Sequence, residues 1–218
     1  AAVRDICGSS VYGVEDLSKI FKKVKNFPDF IHIDIVDKTI NLNSKNVLTY
    51  KSEVIKGFWN EKFIEAHVMS RVPTKWINEI ALNVNRIYIH VDLDEDLHEV
   101  LLLIKRNNCE AGIVLQNLSE LEVFKKNNKF IDSILVLAIE KPGFSGQKFN
   151  NNAFNLINEI NKHKYRNQIS LNVDGGVSKS NVSKIRSENV VSGSYVLNAV
   201  DPIKNLLILQ TSAHYEPK

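Results

Sequence analysis

The sequence is poor in features that would mark a secreted, membrane or nucleic-acid-binding protein. It has only two cysteines in 218 residues, Cys7 and Cys109, far apart and within apolar segments. A disulfide framework is therefore not expected; both read as core residues, and a reducing cytoplasm is the expected compartment. No apolar run approaches the roughly 20 residues of a membrane span. The opening A-A-V-R-D-I-C has no signal-peptide pattern. Neither sign of charge dominates: 28 Lys and Arg stand against 25 Asp and Glu, scattered among one another, for a net +3. Nothing in that balance supplies the footprint of a nucleic-acid or acidic-membrane partner. Low-complexity segments and Pro/Ser-rich linkers are also missing, so residues 1–218 read as a single domain.

What is present is an alternation. Short runs rich in Val and Ile alternate with segments whose apolar residues recur at helical spacing. Strands are predicted over Val3–Cys7, Phe30–Val36, Phe63–Met69, Arg86–Val91, Glu110–Leu115, Ile131–Ile139, Ile169–Val173 and Asn189–Ser192. Helices are predicted over Val14–Val24, Tyr50–Phe58, Pro73–Leu82, Asp94–Arg106, Ser119–Lys126, Ala153–Lys162, Ser180–Ser187 and Pro202–Gln210. Pro73 sits at a favoured first-turn position, and Ser119 with Glu122 three residues on reads as a capping box. Eight strand–helix units in about 200 residues imply a parallel sheet closed as a (β/α)8 barrel. An open doubly wound sheet is the competing arrangement; no G-x-G-x-x-G follows the first strand, which counts against its dinucleotide-binding form.

The second strand, within I-H-I-D-I-V-D at Ile31–Asp37, is the chemical focus. Residues two apart in a strand point the same way, so His32 and Asp34 project together. Burying such a pair costs free energy unless something compensates it. Barrel chemistry sits where strands end, and the other strand ends carry Ser9 and Ser10, His67, His90 and Asp92, the loop Gly143–Gln147, Asp174, and Gly193-Ser194. One buried histidine alone is as well read as a hydrogen-bonded core residue. His32, Asp34, His67 and Asp174 together make a nitrogen-and-oxygen set suited to one divalent Zn, Fe, Mn or Co ion. Glycine turns end strands 6, 7 and 8. Each alone is an ordinary turn; three together suit the approach of backbone N–H groups to a phosphate.

At these residues the sequence resembles the ribulose-phosphate 3-epimerase family, from about Ile6 to Leu207. H-I-D-I-V-D at His32–Asp37 is similar to the family's H-x-D-x-M-D-G, and A-H-V-M at Ala66–Met69 to its H-L-M segment. K-P-G-F-S-G-Q-K-F at Lys141–Phe149 resembles its P-G-F-G-G-Q-K-F loop. V-D-G-G at Val173–Gly176 and V-S-G-S at Val191–Ser194 match its last two signatures in order. The resemblance implies a phosphate-binding (β/α)8 barrel that interconverts ketose phosphates. His32, Asp34, His67 and Asp174 would hold the metal, and Asp34 and Asp174 would be the acid–base pair. Gly143, Phe144, Ser145, Gly146, Gly175, Gly176, Gly193 and Ser194 would cradle the phosphate. Ser9 (or Ser10), Asn43 and Met69 would contact or flank the sugar. A small-molecule ketose phosphate is the expected partner, and a homo-oligomer the expected assembly.

The chain departs from the family on the rim. Lys38 replaces a glycine, Val36 a methionine, and Leu137 or a neighbour another methionine. Ser145 replaces the second glycine of its loop, one residue is inserted near Glu140-Lys141, and Gln116–Ser119 reads Q-N-L-S in place of K-P-G-T. These changes spare every expected ligand and base and leave the substrate open among pentulose, hexulose and heptulose phosphates. Two other readings compete. A barrel decarboxylase or aldolase would carry D-x-K-x-x-D at a strand end, which Asp34–Lys38 does not fit. A non-catalytic phosphosugar binder would have no need of two opposed carboxylates.

Overall fold

The computed structural model describes residues 2–3, 14–42, 50–144 and 146–212. Eight strands form one parallel sheet in chain order. They are β1 (Ala2–Val3), β2 (Phe30–Val36), β3 (Phe63–Met69), β4 (Arg86–His90), β5 (Glu110–Leu115), β6 (Ser133–Leu137), β7 (Ser170–Asp174) and β8 (Asn189–Val191). The helices are α1 (Val14–Val24), α2 (Tyr50–Phe58), α3 (Thr74–Ile80), α4 (Leu97–Arg106), α5 (Leu121–Asn127), α6 (Asn152–Asn161), α7 (Ser194–Leu197) and α8 (Pro202–Ser212). This is the (β/α)8 barrel that the alternation predicts. Most of the first predicted strand, Val3–Cys7, lies outside the described residues. Among the described residues no helix is long and apolar enough to cross a membrane.

The period-2 alternation gives each strand two different faces. Ile31, Ile64, Ile87, Ile113, Ile134 and Leu171 are fully buried and belong to the apolar layer between sheet and helices. Leu17, Ile20 and Val24 of α1, Ile77 and Ile80 of α3, and Leu101 and Ile104 of α4 complete that layer. Each such side chain stabilises the fold by about 1.5–3 kcal/mol. The other face is unlike it. His32, Glu65, Arg86, Tyr88, Ser133 and Asn172 are buried together with a small apolar group of Val114, Leu135 and Leu137. Gly112 makes room for the Tyr88 ring; a Cβ there would lie 2.2 Å from Tyr88 Cδ1.

Four expectations are corrected. The fourth helix starts at Leu97, not Asp94, because Asp96 accepts from the Glu99 N–H at 3.0 Å and caps it, while Asp94 pairs with Arg71 at 2.7 Å. Ser119 caps no helix: it lies inside a 3-10 turn, Leu118–Glu120, and its hydroxyl donates to Asn117. Residues Ser180–Ser187 form only a 3-10 turn, Val182–Lys184. There the Asn181 side chain accepts from Ser178 N–H at 2.9 Å and donates to Gly176 O at 3.0 Å, satisfying the backbone in a turn rather than a helix. Finally, α7 begins directly after Gly193, where a loop was expected.

Candidate metal centre and active site

Strand register assembles the site. Asp34 on β2 lies beside His67 on β3, and Leu137 on β6 beside Asp174 on β7. One ligand atom each from His32, Asp34, His67 and Asp174 falls within 4.8 Å of all the others. His32 Nε2 is 3.4 Å and His67 Nδ1 3.2 Å from Asp34 Oδ1. Both imidazole nitrogens are buried, yet neither makes a hydrogen bond among the described residues. Charge attraction at these distances is strong, but the alignment is not that of a hydrogen bond. The separations match the edge of a coordination polyhedron, about 3.0–3.4 Å when each ligand is about 2.1 Å from a metal. Four buried or half-buried ligand atoms that converge so closely suit a shared cation. These four residues therefore fit a divalent metal ion.

The electrostatics separates the two carboxylates. Burial pushes Asp34 up, but His32 and His67 outweigh it and hold it well below the usual carboxylate range. Burial pushes Asp174 up as well, and the charge on Asp34 pushes it further, against the opposing pull of His32 and His67. Burial opposes charge on His32, yet Asp34 and Glu65 overcome it and raise the imidazole to about 10. His90 goes the other way, lowered to about 3 by burial and then by His67, and stays neutral.

A cavity of about 60 Å³, open to solvent, lies against Asp34 and Asp174 of this cluster. Asp34, Asp174, Ile139, Phe144, Gly146, Gln147, Gly175, Gly176, Gly193 and Ser194 line it. Two glycines of the D-G-G turn are dictated by shape. Gly175 and Gly176 have φ of +103° and +64°, and a Cβ would meet Ile139 Cγ2 at 2.7 Å and Phe149 N at 2.4 Å respectively. Gly143 packs on Val36 instead, which would stand 3.0 Å from its Cβ. Gln147 pins the loop by donating to Lys141 O at 2.7 Å and Phe144 O at 2.8 Å. Met69 is buried on the inner face of β3, and its carbonyl accepts from Asp37 N–H at 3.1 Å. Ser9, Ser10, Asn43 and Ser145 lie outside the described residues.

The other polar strand ends sort differently. Asp37 accepts from Ser70 Oγ at 2.5 Å, Thr39 N at 2.8 Å and Trp76 Nε1 at 3.1 Å, which ties the loop after β2 to that after β3. Asp92 faces solvent, 3.6 Å from Arg71. Lys38 is exposed. Gln116 donates to Ile139 O at 3.0 Å, so the Q-N-L-S segment braces the loop after β6, which carries the insertion near Glu140.

Sequence reasoning missed the layer beneath the cluster. Glu65, fully buried, accepts from His32 Nδ1 at 2.6 Å, Asn172 Nδ2 at 3.0 Å and Arg86 Nη1 at 3.2 Å. Arg86 also donates to Glu110 at 2.7 Å. Tyr88 Oη and Ser133 Oγ share a hydrogen bond at 2.6 Å. The signal was available: Glu65 stands two residues before His67 in a seven-residue strand and so faces the same interior.

A sequence model described as the ribulose-phosphate 3 epimerase family matches residues 12–197. The chain is 33% identical over 193 residues to a ribulose-phosphate 3-epimerase of Buchnera aphidicola subsp. Baizongia pistaciae, covering 84% of this chain and 82% of the relative. It is 28% identical over 182 residues to the Escherichia coli protein of the same name, covering 79% of each. Among solved structures, KGPDC from Streptococcus mutans superposes with a TM-score of 0.71 at 12% identity, over 91% of both chains. The 3-hexulose-6-phosphate synthase of Salmonella typhimurium gives 0.67 at 14% identity, over 97% of this chain and 95% of that one. The structural likenesses speak to the barrel alone; the sequence matches span the strands that carry the cluster. The chain belongs to the ribulose-phosphate 3-epimerase family, a family of isomerases that act on carbohydrate phosphates.

Proposed function

We propose that this protein is a metal-dependent 3-epimerase of a ketose phosphate. The substrate is D-ribulose 5-phosphate or D-xylulose 5-phosphate, or a related pentulose, hexulose or heptulose phosphate. The observation that carries the reading is the pair Asp34 and Asp174, carboxyl groups from β2 and β7 that line one cavity, with a ligand atom of each within 4.8 Å of the other. Inverting the carbon next to a ketone needs a proton taken from one face and another returned to the opposite face. Asp34, held ionised by His32 and His67, accepts the proton from C3. The substrate becomes an enediolate. Asp174, in its protonated form, returns one to C3 from the other side. The reverse reaction exchanges the two roles.

A divalent ion held by His32, Asp34, His67 and Asp174 would supply Lewis acidity, stabilising the negative charge that grows on the substrate oxygens. Gly146, Gly175, Gly176, Gly193 and Ser194 line the same cavity. At these positions the backbone can close on a phosphate without side-chain obstruction. That grip, remote from C3, positions the reacting carbon between the carboxyl groups. Phe144, half exposed at the rim, helps to exclude water. Gly143 and Ser145 belong to the proposed phosphate cradle, and Ser9, Asn43 and Met69 are the residues proposed to contact or flank the sugar.

A decarboxylase or aldolase reading finds less support. Position 36, where the D-x-K-x-x-D pattern needs its lysine, is Val36, and Asp37 is engaged by Ser70, Thr39 and Trp76. On the favoured reading residues 1–218 work as a single-domain homo-oligomer in the cytoplasm. A panel of ketose phosphates, incubated with the protein in deuterated water, tests the function. Deuterium should enter at C3 of one of them with epimer formation. Incorporation at C3 of none would reject the proposal.

A further inference from the structure

A metal-binding histidine is usable only in the tautomer whose lone pair points at the metal, and the partner of its other nitrogen decides which tautomer that is. His32 and His67 turn different nitrogens towards Asp34: Nε2 from His32 and Nδ1 from His67. Their remote nitrogens meet chemically unlike partners. His32 Nδ1 lies 2.6 Å from Glu65 Oε1, while His67 Nε2 lies 3.0 Å from His90 Nε2. Glu65 takes two further donors, from Arg86 and Asn172, on its other oxygen. With both of those donors on Oε2, Oε1 is the acceptor that faces His32 Nδ1. A neutral imidazole carries one ring proton, so His90 Nε2 can accept or donate.

We propose that Glu65 and His90 are positioning residues that set the tautomers of the two histidines unequally, Glu65 permanently and His90 only when a cation is bound. The inference rests on the metal-dependent reading above and deepens it. With Glu65 below it, His32 keeps its proton on Nδ1 in every state, and Nε2 is always aimed at the cluster. His67 has a choice. When His90 donates, the His67 proton sits on Nδ1 and faces the Asp34 carboxylate. When His90 accepts, the His67 proton sits on Nε2, the Nδ1 lone pair faces the cluster, and the His90 proton moves to Nδ1. The rings stack with centroids 5.0 Å apart at 27°, so the two arrangements differ in proton position and need no change of packing. The structure thus gives one preset ligand and one that adapts to the ion.

Zinc ion alone, added to the purified chain, is the probe, and long-range proton–nitrogen NMR correlations of the histidine rings are the readout. In the zinc-loaded protein His32 should be protonated on Nδ1, His67 on Nε2 and His90 on Nδ1. Without zinc, His32 should retain its Nδ1 proton while His67 gains one on Nδ1. Zinc-loaded protein with His67 protonated on Nδ1, or His90 on Nε2, would overturn the inference and leave the metal reading standing. Failure of the wild-type chain to bind zinc would overturn both. Competition titrations supply a second measure: Glu65→Ala and His90→Phe should each weaken zinc binding by about 10- to 100-fold. His90→Gln, whose amide oxygen can accept from Nε2, should recover most of the loss. Unchanged zinc affinity in folded Glu65→Ala and His90→Phe would count against it. The wild-type spectra decide the matter even if Glu65→Ala does not fold.

Discussion

The two faces of the barrel strands are made by the same residues in alternation, yet they obey different rules. The outward face is almost wholly aliphatic, with Ile64, Ile87, Ile113 and Ile134 fully buried against helices. The inward face buries His32, Asp34, Glu65, His67, Arg86, Tyr88, His90 and Asn172. Apolar burial on the first stabilises the fold without directional demands. On the second, every polar group requires a named partner, and breaking one leaves its neighbour exposed to the cost of desolvation. Stability is thus concentrated on one face and chemistry on the other, a single residue apart along each strand.

That division can be broken from either side. The largest effect is expected from Asp34→Asn or Asp174→Asn, which should reduce C3 proton exchange by about 100- to 10,000-fold. Thermal unfolding of Asp174→Asn should change little or move upwards, because a repelling carboxylate pair is relieved, whereas Asp34→Asn should unfold at a lower temperature, because His32 and His67 lose their shared charged partner. Next comes Ile134→Ala on the outward face, which should cost about 2–5 kcal/mol in urea unfolding while kcat of the remaining folded protein stays near wild type. Activity lost in proportion to stability, in either variant, would erase the distinction.

Gly176→Ala straddles the two faces. It forces a side chain onto φ of +64° and against Phe149 N, where the Cβ would lie 2.4 Å away. A cost of about 1–3 kcal/mol is expected, together with a KM rise larger than the fall in kcat, since the turn borders the proposed phosphate end. The smallest effect concerns acid stability. Burial pushes Asp37 up, but hydrogen bonds from Ser70, Thr39 and Trp76 outweigh it, so its folded pKa lies below the ordinary value. A depressed carboxylate pKa means that the folded state binds fewer protons than the unfolded one. Its stabilising contribution is therefore full above the unfolded value and fades as pH falls through the folded one. Asp37→Asn should be less stable than wild type at neutral pH, and the gap in urea midpoints should narrow in strong acid.

The same contrast explains what was readable in the chain. The outward face repeats its pattern from β2 to β7, so the alternation of parallel strands with helices follows from periodicity, while the choice of a barrel over an open doubly wound sheet rests on the count of eight units. His32, Asp34, His67 and Asp174 stood out because polar residues interrupt apolar strands near their ends. Glu65 was passed over although it shares its face with His67, because a glutamate read by itself in F-I-E-A-H-V-M suits a solvent-facing position. The four-residue helix after Gly193 is too short to show a helical period. Ser119 and Glu122 had the spacing of a cap, but Asn117 took the hydroxyl and Lys125 took the carboxylate. Local patterns failed where a competing local partner was nearer.

The central claim is that the inward face is a cation-dependent site for moving the C3 proton. Its most direct test is solvent deuterium incorporation into the ketose phosphate by one preparation, first as purified, then stripped by chelator, then reloaded with a single divalent metal. Exchange should disappear on stripping and return on reloading, with circular dichroism unchanged throughout. Full exchange by the stripped protein would contradict the account.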